Sequence, residues 1–240
     1  MYDLSQRQVE ILKNIVKEYI ETAEAVGSET LEKKYDIGVS PATIRNEMAD
    51  MVKMGYLAKP HSSSGRVPTS KALKLYVNEL MKERTMSVAD EVEAKEKVWD
   101  LRTAESRFYR QLTRSLSHQT GTLAVATTQE GDIYFSGYSN ILDMPEFYDI
   151  DITKNLLSLL DDVTHFDMIL KKIESDYAVL FGEEFDLESL RPYGFVFSKF
   201  TTRSNHQGSI GVVGPARLRY ELIVPCVRYY GHLVTELADW

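Results

Sequence analysis

The stretch from Val39 to Gly55, VSPATIRNEMADMVKMG, decides how the first part of this chain folds. Ser40 followed by Pro41 predicts a helix start, because a serine side chain caps the first free amides and proline fits the first helical position. Gly55 predicts the left-handed residue that commonly follows a helix end. We therefore expect a helix that runs from Pro41 to Met54 and buries one apolar stripe. The expected stripe is Ile44, Met48, Met51 and Val52.

The residues on either side of this helix complete the pattern of a winged helix-turn-helix. Before it lie two amphipathic segments, the first beginning at Ser5 and ended by Gly27, and the second capped by Ser28. After it, two short strand-like runs flank the turn-rich stretch from Pro60 to Gly65, which predicts an antiparallel hairpin, the wing. The expected elements are helices over 5–23 and 29–35, strands over 56–59 and 66–68, and a further helix over 71–83.

Charge is distributed unevenly along the chain, whose net charge is −8. Residues 1–84 carry 13 Lys and Arg against 12 Asp and Glu, so that residues 85–240 have a net charge of −9. From Met51 to Asn78 there are five basic residues and no acidic one. Local positive potential governs attraction to phosphate, so this segment is compatible with nucleic-acid binding. On its own, however, a basic stretch is more often a solvated surface.

A recognition helix presents short polar side chains from its first turns to base edges in the major groove. Arg45 suits guanine, Asn46 suits adenine, and small methyl groups suit the thymine methyl. The wing offers hydroxyls and cations to phosphate, and Arg66 is also a candidate for a minor groove. The alternative for each of these residues is a side chain that only solvates the surface. The candidate DNA-binding residues are Ser40, Ala42, Thr43, Arg45, Asn46, Lys59, His61, Ser62, Ser63, Ser64 and Arg66.

A hinge over 84–90 and a long, polar helix from Glu91 to His118 are expected after the winged helix. The helix has an apolar seam, which predicts either pairing with a second chain or packing on the chain's own second domain. Beyond it, the pattern predicts an α+β sheet domain. The seam is formed by Val98, Leu101, Phe108, Leu112 and Leu116. The expected strands are 123–127, 133–137, 177–182, 194–200 and 209–213, and the expected helices are 152–160, 166–173 and 220–237.

Several longer motifs occur in both parts of the chain. In the first part they are SQRQVEIL from Ser5, YIETAEAVGS from Tyr19, VSPATIRNEMAD from Val39 and GYLAKPHSSSGRVPT from Gly55, which together cover most of residues 4–81. In the second part they are SNILDMPEF from Ser139, the Gly-Glu-Glu at 182–184 and GSIGVVGPAR from Gly208. The first set resembles motifs of the heat-inducible transcription repressor HrcA family, and the second set is similar to that family's sensor-like domain of GAF type.

The resemblance implies a repressor of chaperone operons that binds double-stranded DNA as a homodimer at an inverted repeat. It further implies that heat inactivates the repressor and that a chaperonin helps restore it. The fold class implied is α+β, with an N-terminal winged helix-turn-helix, a linker helix and a C-terminal GAF-like α/β sheet domain. The expected boundaries are 1–84 for the winged helix, 85–120 for the linker or pairing helix, and 121–240 for the sensor or dimerisation domain.

The chain departs from the family pattern in two places. Residues 71–74, Lys-Ala-Leu-Lys, stand where the family usually has Gly-Tyr-Arg, which predicts a different contact between the helix over 71–83 and the wing. The chain is also shorter than typical members, and most of the deficit is expected between His118 and Ile133. Much of the family's inserted dimerisation domain would then be missing, and the dimer would form through the helix over 91–118, the sheet domain, or both.

Two other classes of function are alternatives to the repressor. An enzyme has no support, because the sequence lacks a phosphate-binding loop, a zinc-protease motif and a nucleophile elbow; neither a catalytic residue, a metal nor a cofactor is expected. A winged-helix regulator that senses a small molecule through its second domain remains the alternative, although no residue pattern identifies a ligand.

The composition and the N-terminal sequence indicate the cellular compartment in which the protein is expected. A single cysteine, Cys226, excludes an internal disulfide framework, and an inert, buried thiol is the better interpretation of it. The N-terminal residues lack the pattern of a secretory signal, and no apolar run approaches the roughly 18 residues that span a bilayer. A cytoplasmic protein without membrane contact is therefore expected.

Overall fold

The computed structural model describes residues 3–61, 65–161, 163–185 and 187–238. The chain divides into two compact units, Met1–Lys82 and Glu83–Trp240. Within the described ranges, each helix is too short or too polar to span a bilayer.

The first unit is a winged helix-turn-helix, as the sequence predicts. Three helices are followed by a two-stranded antiparallel hairpin in which Leu57 pairs with Pro68 and Ala58 with Val67. A fourth helix continues into one π-helical turn, Tyr76–Leu80, which ends where the Met81 amide donates to the Tyr76 carbonyl. The elements are α1 (Gln6–Thr22), α2 (Ser28–Lys34), α3 (Pro41–Lys53), β1 (Leu57–Ala58), β2 (Val67–Pro68) and α4 (Ser70–Leu75).

A shared apolar core and one polar clamp hold these helices together. The core takes side chains from α1, α2, α3 and the hairpin, among them Ile11, Ile44 and Met51, which have no exposed surface. The clamp is the carboxylate of Glu18, which lies 2.7 Å from Lys34 Nζ and accepts from the Tyr35 hydroxyl at 2.9 Å. This carboxylate raises the pKa of Lys34, and burial together with the Glu18 hydrogen bond raises the pKa of Tyr35 to about 12.

Helix α1 ends at Thr22, one residue before the predicted end at Ala23, because Ala23 adopts a left-handed conformation with φ 59°. The start of α2 differs from the sequence prediction, since the helix begins at Ser28 itself, with Gly27 at the cap position and no side-chain cap. The helix predicted over 71–83 also ends earlier, at Leu80, because Met81 adopts an extended conformation with ψ 154°.

The second unit is a five-stranded antiparallel sheet covered by helices. The sheet order is β4-β3-β7-β6-β5. Short 3₁₀ turns occur at Pro145–Tyr148, Gly182–Glu184 and Glu188–Leu190. The elements are α5 (Val88–Trp99), α6 (Glu105–Thr120), β3 (Leu123–Thr128), β4 (Ile133–Ser136), α7 (Tyr138–Leu142), α8 (Ile150–Asp161), α9 (Val163–Lys171), β5 (Tyr177–Phe181), β6 (Tyr193–Thr201), β7 (Gln207–Pro215) and α10 (Tyr220–Leu237).

Alternating residues of the central strands pack against helices on opposite faces of the sheet. On one face, Val125 and Phe195 join the apolar cluster that includes residues of α7, α8 and α9. On the other, Phe200 stacks on Tyr109 of α6 with ring centroids 5.8 Å apart, and α10 lies along β6 and β7. Strand β3 is therefore buried along its whole length. The mixed α+β architecture predicted for this region is confirmed.

The prediction of a single helix from Glu91 to His118 is wrong. The chain forms two helices, α5 and α6, separated by the irregular residues 100–104. The predicted seam is not an outer surface either, because Val98, Phe108, Leu112 and Leu116 are completely buried within the second unit. Of the two alternatives for these residues, packing on the chain's own second domain is the one observed.

Helix α10 closes the sheet and holds the single cysteine. The Tyr230 hydroxyl donates to Ser115 Oγ of α6 at 2.9 Å in a buried position. Cys226 is only half-buried, but burial, with the charge of Asp90 as a smaller cause, raises the pKa of its thiol to about 11. The thiol is thus protonated at neutral pH, which agrees with the prediction of an inert side chain.

Candidate nucleic-acid interface

Helix α3 begins as the sequence predicts. Ser40 is the N-cap, with its Oγ accepting from the Thr43 amide at 3.3 Å, and Pro41 occupies the first turn. The two side-chain oxygens of Ser40 and Thr43 also lie 3.0 Å apart. The helix ends at Lys53, and Gly55 has φ 78°, a left-handed conformation that glycine adopts without strain.

One face of α3 is left open by the packing. Ile44, Met48 and Met51 are buried, and the predicted fourth member of the stripe, Val52, is half-buried. On the opposite face the helical spacing places Ala42, Arg45, Asn46 and Ala49 in neighbouring positions. Ala42, Arg45 and Asn46 are exposed and Ala49 is half-buried. A helix that presents this face from its first turns has the form of a recognition helix.

Three cations from separate segments surround one concavity in the first unit. Arg45 of α3, Lys59 after β1 and Arg66 before β2 line a space of about 430 Å³. The start of α2 forms the opposite wall, where Glu29 contributes one acidic side chain. Neither Arg45 nor Lys59 forms a salt bridge with another described residue. The three cations outnumber the single glutamate, so the lining of the concavity has an excess of positive charge that suits a phosphate backbone.

The wing is fixed to the segment between α1 and α2 by an additional backbone pair. The Val26 amide donates to the Arg66 carbonyl, and the Arg66 amide donates to the Val26 carbonyl, each at 2.8 Å. Gly65 makes this approach possible, because a Cβ at this position would lie 2.4 Å from the Val26 carbonyl oxygen. The bridge brings Arg66 to the concavity, and no local sequence pattern predicts it.

Lys71 and Thr69 anchor α4 to the end of α3. Lys71 donates to the Met54 carbonyl at 2.9 Å, and its Nζ lies 4.1 Å from the centroid of the Tyr56 ring. Thr69 caps α4 and donates to the Gly55 carbonyl at 2.8 Å. A cation at a helix C-terminus is favourable, so Lys71 contributes to the position of the hairpin relative to α3.

The remaining candidates are only partly placed. Ser40 and Ala42 are exposed at the start of α3, and Thr43 is half-buried. His61 is exposed at the edge of the wing. Ser62, Ser63 and Ser64 lie outside the described residues. The structure thus brings Arg45, Lys59 and Arg66 together and leaves the other described candidates on the exposed start of α3 or on the wing.

Two family models match this chain. One, described as "Winged helix-turn-helix transcription repressor, HrcA DNA-binding", matches residues 3–82, and the other, described as "HrcA protein C terminal domain", matches residues 64–224. The chain belongs to the HrcA family. The resemblance drawn from the sequence motifs is therefore confirmed, and a DNA-binding winged helix of a transcription repressor family occupies the first unit.

Relatives named "Heat-inducible transcription repressor HrcA" align with all or part of this chain. The protein of Syntrophobacter fumaroxidans is 26% identical, with 100% of this chain and 99% of that protein covered. The protein of Clostridioides difficile is 57% identical over 90 residues, which are 38% of this chain and 26% of that protein. A crystal structure of a hypothetical protein at 2.2 Å resolution is similar in fold, with a TM-score of 0.79, 18% identity, and 99% of this chain and 98% of that chain covered.

The whole-chain alignment also shows that this chain is shorter than its relative. It extends over 343 positions, whereas this chain has 240 residues, so that roughly a hundred positions fall in gaps of this chain. In the structure, β3 and β4 are joined by a tight turn in which the Thr128 amide donates to the Asp132 carbonyl at 3.0 Å. This turn lies inside the interval, His118 to Ile133, where the sequence motifs predict the deficit.

Proposed function

We propose that this chain represses chaperone operons by binding, as a homodimer, an inverted repeat in double-stranded DNA, and that heat releases it. The observation that carries the proposal is the convergence of Arg45, Lys59 and Arg66 beside the open face of α3. One helix and one wing contact too few bases to select a site in a genome. Two copies would bind half-sites separated by about 34–36 Å, one turn of DNA, or a multiple of it.

The proposed roles divide between base and phosphate contacts. Arg45 and Asn46, on the open face of α3, would contact base edges, with the methyl groups of Ala42 and Thr43 beside thymine. Lys59 and Arg66 would contact phosphate oxygens and position the helix. The hydroxyls of the wing, Ser62, Ser63 and Ser64, with His61 and the cap Ser40, would add phosphate contacts.

The binding proposal is tested by titrating labelled duplexes from chaperone promoters with the full-length protein. We expect tighter binding to an intact inverted repeat than to a duplex with one half-site scrambled. If the dimer makes roughly 6–10 phosphate contacts, affinity should fall about 10³–10⁵-fold between about 50 and 200 mM salt. Equal binding to both duplexes, or a flat salt profile, would contradict the proposal.

The heat response is proposed to follow from loss of the dimer. Assembly linked to folding depends on protein concentration, so a modest interface can be lost over a narrow range of temperature. Sedimentation and DNA titration across one temperature series should show the dimer and operator binding disappearing together. A protein that stays dimeric and folded after operator binding is lost would require another signal. Family resemblance adds a chaperonin as a proposed partner, and purified chaperonin should increase the recovery of binding after heating.

A further inference from the structure

Helix α6 carries a row of basic side chains along its outer face. Arg107, Arg110 and Arg114 are exposed and line one groove of about 770 Å³. They follow each other at three and four residues, so they form a row about 10 Å long on one side of the helix. Among the described residues no salt bridge or hydrogen bond involves any of the three side chains. We call this surface the arginine groove.

The opposite rim of the arginine groove is polar and firmly positioned. It consists of residues 136–140, at the end of β4 and the start of α7. Asn140 donates to Ser117 Oγ at 3.0 Å and to the Thr122 carbonyl at 3.1 Å, which fixes α7 against α6. Tyr138 is half exposed on this rim; burial and the charge of Asp161 raise its pKa, so its hydroxyl stays protonated.

An acidic and apolar segment begins two residues beyond this rim. Its large apolar side chains are unusually exposed, at 57% for Leu142, 73% for Tyr148 and 62% for Ile150. Three exposed aspartates alternate with them, and no salt bridge involves these carboxylates within the described residues. We define the acidic segment as Leu142, Asp143, Tyr148, Asp149, Ile150 and Asp151.

The acidic segment is held rigidly although its outer side chains contact little. Phe147 is buried and stacks on Tyr193, with ring centroids 6.1 Å apart. Glu146 forms a two-point ion pair with Arg217, and Thr153 donates to the Phe147 carbonyl at 2.6 Å. The exposed apolar and acidic side chains are therefore presented by a fixed backbone, as in a binding surface.

We propose that the arginine groove of one chain receives the acidic segment of a second copy, and that this contact forms the dimer. It rests on the proposed function, which requires two copies on one operator. The two surfaces are adjacent and opposite in charge, so a two-fold axis between them makes two equal contacts. Arginine and tyrosine are also the residues that dominate interface cores.

The surroundings of the groove favour a protein copy over a nucleic acid. Residues 85–240 have a net charge of −9, and the aspartates of the acidic segment lie close along the chain to the groove. These negative charges repel a phosphate backbone. In a two-fold dimer, by contrast, the aspartates of each copy would face the arginines of the other.

The experiment is sedimentation equilibrium of the full-length chain without DNA. The wild type should dimerise, and Arg110→Glu with Arg114→Glu should raise the dimer dissociation constant by at least about tenfold, because like charges then face each other. The matched control is Arg191→Glu with Arg219→Glu, an equal charge change on exposed arginines of the same unit, and it should leave the constant within about threefold. Circular dichroism checks that each variant is folded.

A charge-exchange variant separates the contact from simple misfolding. Asp143→Lys with Asp151→Lys should also weaken the dimer, and all four substitutions in one chain should restore it, because opposite charges face each other again. A monomeric wild type, an unaffected Arg110→Glu/Arg114→Glu variant, or absence of rescue would overturn the proposal. One further result would overturn the proposal: a dimer that persists in the Arg110→Glu/Arg114→Glu variant while the salt dependence of its DNA binding falls. That result would assign the groove to nucleic acid. The sedimentation assay contains no DNA. A negative result would therefore contradict the proposed dimer contact, and the DNA-binding proposal would still be tested separately by the titration of duplexes.

Discussion

Helices α3 and α6 both carry arginine on an outer face, yet they are embedded very differently. Of the 13 residues of α3 only three are buried, all of them apolar, whereas α6 buries seven of 16, including four that carry a hydroxyl. A narrow contact stripe leaves α3 a wide surface that can enter a DNA groove. The broad contact of α6 makes it part of the core of its unit, with only a strip of arginine outside.

The charge around the two helices differs as well. Arg45 shares its concavity with two further cations and one glutamate, in a region of nearly balanced charge. The arginines of α6 belong to a strongly acidic region and lie beside exposed aspartates. The same residue type therefore suits DNA in the first unit and an acidic protein surface in the second. A basic residue therefore indicates a class of binding partner only when the charges around it are also considered.

The largest expected effect concerns the buried side of α6. Leu112→Ala should lower the free energy of unfolding of the second unit by about 2–5 kcal/mol, because Leu112 is completely buried and the cavity would not refill. Urea unfolding followed by circular dichroism measures it. The control, Glu96→Ala on the exposed side of α5, should change the free energy by less than about 0.5 kcal/mol. A cost below about 1 kcal/mol for Leu112→Ala would mean that α6 is not a core helix.

The next effect concerns the open face of α3. Arg45→Ala should lower the affinity for the preferred operator by about 1–3 kcal/mol and relax the preference at one base position in each half-site. Titration of duplexes substituted at each position measures it. Arg7→Ala is a control, since Arg7 is an exposed arginine of the same unit whose side chain contacts Glu47. An unchanged base preference in Arg45→Ala would contradict the recognition role of α3.

A smaller effect is expected at the start of α3. Ser40→Ala removes the side-chain acceptor of the Thr43 amide and should lower the stability of the first unit by about 1 kcal/mol. Thermal unfolding measures the loss, and Ser40→Asp should recover most of it, because aspartate caps equally well. If the aspartate variant binds DNA more weakly than the alanine variant, Ser40 also lies near phosphate, because a negative charge there is repelled.

The smallest effect is expected at Lys59. Lys59→Ala should weaken binding to all duplexes alike and reduce the slope of log affinity against log salt by about 2, because one phosphate contact is lost in each half-site. Binding titrations at several salt concentrations measure the slope, and Lys13→Ala, which alters a cation of α1 outside the concavity, should leave it unchanged. A sequence-dependent loss in Lys59→Ala would mean that Lys59 contacts bases.

Local sequence signals predicted the first unit well because its elements are fixed by short motifs. Ser40-Pro41 set the start of α3, and Gly55 its end. The break between α5 and α6 was missed because residues 100–104 contain neither proline nor glycine, and a continuous helix satisfies the same apolar spacing. The concavity was missed for another reason. Val26 and Arg66 pair across 40 positions, a long-range contact that no local pattern specifies.

Selection of bound sequences from random duplexes tests most directly whether the first unit recognises DNA in pairs of half-sites. We expect the wild type to enrich a two-fold symmetric motif with half-sites separated by about one helical turn or a multiple of it. Arg110→Glu with Arg114→Glu should enrich the same half-site without fixed spacing, and Arg45→Ala should lose one base position in each half-site. No enrichment, or a symmetric motif unchanged by both variants, would contradict the division of roles between α3 and α6.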